Sequence, residues 1–166
     1  MKLELLDAPT PHRERGRRAQ APRMVVVHTN VGTFESTLAW FAEPSSGVSA
    51  HYLVALDGRV ARFVDEADTA RHAGRVRRPT AALASNANPN RYTIGVEFED
   101  GGDPHGVART SEQYEAGGVL VAEIAGRWGI PLDRAHVLGH RELFAAKDCP
   151  GNLDVELLVE EARGCA

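Results

Sequence analysis

The sequence predicts an α/β fold: a single domain with a mixed central β-sheet flanked by helices. Three observations carry this expectation. The run Met24-Val25-Val26-Val27-His28-Thr29 is β-branched and nearly free of polarity, the pattern of a strand buried on both faces. Two apolar runs, 51–56 and 59–64, are joined by Asp57-Gly58, a strong hairpin signal because such a turn needs residues that accept positive φ. Strands then alternate with helical segments along the rest of the chain, which makes a sheet covered by helices.

The elements follow in order. Residues 1–23 read as a loosely held basic lead-in, interrupted by Pro9, Pro11 and Pro22 and carrying Arg13, Arg15, Arg17, Arg18 and Arg23. Short charge runs of this kind are usually solvated. The ordered domain is expected over 24–166. After the first strand, 36–41 reads as a short helix, followed by the hairpin and a polar loop over 71–91. Tyr92-Thr93-Ile94-Gly95-Val96-Glu97-Phe98-Glu99 resumes as a strand. The longest helix is expected over 111–128, opened by a capping box of Thr110 with Gln113 and stopped by Gly129 and Pro131. A short strand over 135–138 enters a turn at Gly139. A last helix starts after the N-cap residue Asp154 and ends near Gly164.

Composition narrows the function classes. The chain has 166 residues, enough to bury one substantial core, and its net charge of −4 gives no reason to expect nucleic-acid binding. No secretory signal pattern or membrane-length apolar run is present, so the chain is expected to be cytoplasmic as synthesised, without stable membrane association. A wall-directed role then calls for release by a signal-independent route. The two cysteines, Cys149 and Cys165, have a low prior of pairing in such a compartment, and a metal or catalytic role carries more weight.

Three residues suggest a metal. His28 ends the first strand, His140 follows Gly139, and Cys149 lies nine positions later in Lys147-Asp148-Cys149-Pro150-Gly151. Two imidazoles and a thiolate suit zinc, and three protein ligands leave a fourth position for water, the mark of a catalytic site. Spacing alone leaves His136 as a competitor to His140, and Asp148 as a competitor to Cys149.

Six segments resemble, in order, a zinc-dependent N-acetylmuramoyl-L-alanine amidase family that includes phage lysozyme-type amidases, peptidoglycan-recognition proteins and cell-wall recycling amidases. They are Val27-His28-Thr29, Ser49-Ala50-His51-Tyr52 with its Asp57-Gly58 turn, His72-Ala73-Gly74, Ile94-Gly95-Val96-Glu97, Gly139-His140-Arg141-Glu142 and Lys147-Asp148-Cys149-Pro150-Gly151. The resemblance covers roughly residue 24 to the C-terminus. Arg71 departs from it, standing where family members often carry an aromatic residue.

The resemblance implies an amidase/peptidoglycan-recognition-protein-like fold and makes 24–166 the catalytic domain. It implies Zn2+ held by His28, His140 and Cys149. The implied reaction is hydrolysis, by water at the metal, of the amide between the N-acetylmuramic acid lactyl group and L-alanine of the stem peptide. Glu97 is implied as general base, with Glu99 as the fallback of the same strand parity. Tyr52 and Lys147 are implied to stabilise the oxyanion or orient water, and His72 to contact substrate. His51, adjacent to Tyr52, is expected to point the other way. The expected partners are peptidoglycan or muropeptide fragments, with the protein a monomer. The alternative is a non-catalytic peptidoglycan-binding protein on the same fold.

Overall fold

In a computed structural model, which describes residues 3–166, the chain builds a six-stranded mixed sheet with helices on both faces. Its strands are β1 (Leu5–Asp7), β3 (Met24–Thr29), β4 (Tyr52–Val54), β5 (Val60–Arg62), β7 (Thr93–Phe98) and β8 (Val137–Gly139), in the order β1-β5-β4-β7-β3-β8. A two-stranded antiparallel pair, β2 (Arg13–Glu14) with β6 (Thr69–Ala70), stands apart. β3 lies between β7 and β8, parallel to both, and all six of its residues are buried, as a strand covered on both faces requires.

Each face has its own core. Helices α3 (Ser111–Trp128) and α5 (Val155–Cys165) cover one face, where Leu120, Ile124 and Leu158 pack on Val25, Val27, Tyr52, Val54, Val96 and Phe98. The other face carries α1 (Phe34–Ala42), α2 (Pro89–Tyr92) and α4 (His140–Leu143). There Phe34 and Phe41 pack on Leu53, Ala61 and Phe63, while Tyr92 and Leu143 pack on Met24, Val26 and Leu138.

Local chemistry explains the boundaries. Thr33 caps α1 by accepting from the Ser36 N–H, which starts the helix two residues before the expected 36. α3 ends at Gly129, whose φ of 66° is left-handed, and Asp154 caps α5 by accepting from the N–H groups of Glu156 and Leu157. The hairpin forms, but only Gly58 takes positive φ (84°), and the Ala55 N–H donates to the Arg59 carbonyl. The connection is therefore a three-residue loop rather than a tight two-residue turn. The capping box at Thr110 is half made: Thr110 accepts from the Gln113 N–H, whereas the Gln113 amide turns inward to donate to the carbonyls of Val54 and Glu99.

The lead-in over 1–23 is more ordered than its composition suggests. β1 pairs in parallel with β5 and forms an edge of the main sheet. Arg17 is buried, and its guanidinium donates to the carbonyls of Glu66, Asn90, Arg91 and Thr93. Those acceptors lie on the loop after β5, in α2 and at the start of β7, so a residue that reads as solvated becomes a staple. Met1 and Lys2, at the start of that stretch, lie outside the described residues.

Candidate metal centre

β3, β7 and β8 run parallel, so their carboxyl ends open at one edge of the sheet, where α/β folds place ligands. His28 sits near the end of β3 directly beside Glu97 on β7, with which it is in register. Val27 pairs with Gly139, so the residue after Gly139, His140, falls in the same row and opens α4. The chain then turns back, and the Arg141 N–H donates to the Cys149 carbonyl at 2.9 Å. That bond brings the thiol to the two imidazoles.

The ligand-capable atoms of His28, His140 and Cys149 all lie within 4.8 Å of one another. His28 Nδ1 is 3.6 Å from Cys149 Sγ, and the Thr29 N–H donates to that sulfur at 3.2 Å. The rival donors are engaged elsewhere. His136 is bonded to Asp133 at 2.7 Å, and the exposed Asp148 is paired with His105.

The three donors line a cavity of about 650 Å³, together with Glu97 and Lys147. Burial drives the electrostatics of its floor. It pushes the His28 imidazole well towards the neutral form, with His140 and the Lys147 ammonium adding to the effect, and moves His140 the same way against the opposing Ala73 carbonyl. It pushes the Cys149 thiol up to about 12 and, with the Asp100 carboxylate contributing, the Glu97 carboxyl up to about 8. Glu97 Oε2 has no hydrogen-bond partner among the described residues. The centre is thus a neutral nest with one unsatisfied carboxyl oxygen, which a dication would stabilise by drawing off the thiol proton and reversing the local charge balance.

The other expected site residues divide. Lys147 is exposed on the cavity wall. His72 lies beside the cluster, but both its nitrogens have protein partners, His28 at 2.9 Å and Thr93 at 3.2 Å, so neither is free for substrate. Tyr52 is a correction. It pairs with Val96, which turns its ring to the α3 face, and its hydroxyl donates to Glu66 at 2.7 Å, on the far side of the sheet from the cavity. His51, as expected, lies on the opposite side, buried and accepting from the Gly95 N–H. Glu99 is occupied, accepting from the N–H groups of Phe34 and Leu56. Both cysteines are free thiols.

Sequence reasoning missed the apolar rim. Trp40 and Val48 line the cavity and are 52% and 41% exposed, and Val31 joins them. The spacing of Trp40 on α1 gives no hint of this, because Phe34, Thr37 and Phe41 already supply the helix with a buried face.

A family model described as N-acetylmuramoyl-L-alanine amidase matches residues 18–152. The chain belongs to that family. Among curated relatives, N-acetylmuramoyl-L-alanine amidase A of Achromobacter lyticus is 37% identical over 76 residues, which is 45% of this chain and 36% of the relative's length. Solved structures support the family's fold. The selenomethionine derivative of AmpD superposes with a TM-score of 0.78 at 22% identity, covering 97% of this chain and 99% of the other. The amidase LysC from Clostridium intestinale gives a TM-score of 0.72 at 17% identity, with 98% and 99% covered. The family match starts at residue 18, so β1 and β2 lie ahead of it. Among the described residues no helix is long and apolar enough to cross a membrane.

Proposed function

We infer that this protein is a zinc-dependent amidase that hydrolyses the bond between the N-acetylmuramic acid lactyl group and the L-alanine of the peptidoglycan stem. The observation that carries this reading is the convergence of His28, His140, Cys149 and the unpartnered Glu97 carboxyl at one cavity floor in a chain of this family. The donor set fits zinc. The 3.6 Å between His28 Nδ1 and Cys149 Sγ matches the edge, about 3.5 Å, of a tetrahedron with zinc–nitrogen and zinc–sulfur bonds of about 2.0 and 2.3 Å. When bound, zinc supplies Lewis acidity that polarises an amide carbonyl and acidifies water.

The chain's own residues supply the rest. Glu97, with a free oxygen facing the cavity, takes a proton from the attacking water and returns it to the leaving amine of L-alanine. Its raised affinity for protons suits a group that must both accept and give one near neutrality. The Lys147 ammonium stands over the cavity and offsets negative charge developing on the carbonyl oxygen. Trp40 and Val48 offer an apolar wall to the substrate beside the reacting bond.

Digestion of purified peptidoglycan and of soluble muropeptides, with zinc-loaded and chelator-stripped protein compared by mass spectrometry, tests this function. The expected result is intact stem peptides with new L-alanine amino termini, in the zinc-loaded sample alone. Absence of cleavage by protein with zinc demonstrably bound would reject the amidase and leave peptidoglycan binding as the activity to measure.

A further inference from the structure

Hydrogen bonds around the metal centre fix where its protons sit. Thr93 has one hydroxyl hydrogen, and at 2.7 Å it donates to the Pro89 carbonyl. Towards His72 Nε2, 3.2 Å away, the same oxygen can only accept, so His72 carries its proton on Nε2. Nδ1 of His72 is then an acceptor, and it takes the Nε2 proton of His28 at 2.9 Å. His28 is left with a bare Nδ1, the nitrogen that faces Cys149. At the second imidazole, His140 Nε2 lies 3.2 Å from the Ala73 carbonyl. A carbonyl only accepts, so His140 also carries its proton on Nε2 and leaves Nδ1 bare.

The two acceptors are consecutive residues, and the structure holds them firmly. Asn90 Oδ1 accepts from the backbone N–H groups of both His72 (3.1 Å) and Ala73 (2.8 Å). The His72 ring rests against β7 at Gly95, where a Cβ would stand 2.4 Å from its Cγ. Any side chain at position 95 therefore dislodges the ring, which gives the glycine beside Glu97 a role that has nothing to do with backbone flexibility.

We propose that the His72-Ala73 segment is a shared positioning device for both metal histidines, locking each in the Nε2–H tautomer so that both present Nδ1 to the ion. His72, Thr93, Asn90 and Gly95 are positioning residues in this scheme. The proposal rests on the metal-centre reading above, though not on the identity of the substrate. Metal-bound histidines generally donate their second N–H to such an acceptor, and losing that partner costs roughly 10–100-fold in metal affinity.

The test has two readouts independent of turnover. Long-range 1H–15N spectra of chelator-stripped, 15N-histidine-labelled protein report the tautomers of His28 and His140. Chelator competition gives the zinc affinity of wild type, His72→Leu, His72→Asn and Thr93→Val. Both histidines are expected as Nε2–H tautomers in wild type. His72→Leu should lose about 10–100-fold in affinity. His72→Asn puts Oδ1 where Nδ1 was and should stay within about threefold, since the acceptor is retained. Thr93→Val frees His72 to protonate Nδ1, so His28 should shift towards the Nδ1–H form and bind zinc more weakly. A wild-type His28 already protonated on Nδ1, or a folded His72→Leu with wild-type affinity, overturns the proposal. If His72→Leu does not fold, the wild-type spectrum and the Asn and Val variants decide. Wild-type protein that takes up no zinc rejects the metal centre itself, and that failure is visible before any variant is compared.

Discussion

Cys149 and Glu97 line the same cavity and meet opposite requirements. Cys149 must lose a proton to hold a metal, and its buried thiol gives it up only to a cation. Cys149→Ser replaces a soft thiolate with a hydroxyl that stays protonated, so zinc retained after dialysis, read by elemental analysis, should fall sharply, with hydrolysis falling alongside. Glu97→Ala leaves all three donors in place. Zinc should remain stoichiometric while turnover drops by about 10²–10⁴, the usual worth of a positioned proton carrier; unchanged turnover removes Glu97 from the chemistry. In the sequence His28 stood out near the end of a buried strand, His140 after Gly139 and Cys149 before Pro-Gly, and the family resemblance chose them over His136 and Asp148. Tyr52 was misplaced for a reason that a single chain hides. Strand parity says that Tyr52 and His51 point apart, but which one shares a face with His28 depends on the pairing of β4 with β7. That register is set by contacts between segments more than forty residues apart.

Helices α3 and α5 touch through glycine. A Cβ at Gly118 would lie 2.7 Å from Glu161 Cβ and 3.0 Å from the Glu161 carbonyl carbon, so backbone rather than a flexible side-chain tip blocks it. Gly118→Ala gains about 1 kcal/mol of helix propensity but incurs about 1–3 kcal/mol of overpacking. Urea denaturation should therefore show a net loss of up to about 2 kcal/mol. Gly126 on the same helix has nothing within 4 Å of its would-be Cβ. Gly126→Ala should stabilise by about 0.5–1 kcal/mol, and the opposite signs on one helix separate packing from propensity. At this scale the sequence was most readable where patterns are local: α3 spans the expected 111–128, and Asp154 caps α5. It was least readable where a side chain chose a distant partner, as when Gln113 left its own helix end for the carbonyls of Val54 and Glu99.

Across the whole molecule, Glu66 ties β4 to the end of α3 behind the sheet. It accepts from Tyr52 on β4 and from Arg127 and Trp128 at the end of α3. Burial pushes its carboxyl up, but the hydrogen bonds from Arg127, Tyr52 and Trp128 prevail and hold it below the ordinary carboxylate range. A carboxyl so depressed stabilises the fold above its unfolded pKa, and the contribution fades as pH falls towards the folded value. Glu66→Gln should therefore lose stability near neutrality, by about 1–3 kcal/mol, and show a shallower decline between pH 5 and pH 3 (roughly the span where carboxylates titrate) in denaturant titrations. A parallel decline in both proteins rules out this role. The N-terminal segment joins the same framework through β1 and through Arg17, which donates to the Glu66 carbonyl and whose partners lie 34 to 76 residues downstream. Composition could not reveal that, because a buried arginine and a solvated one look alike in one dimension. The same long reach governs the metal centre, where His28 and Cys149 are 121 residues apart. On a ribosome, His28 emerges 121 residues before its sulfur partner exists. A nascent chain arrested anywhere before Cys149 has no complete cradle for a cation, so any ion these three donors hold is taken up only after Cys149 has been made.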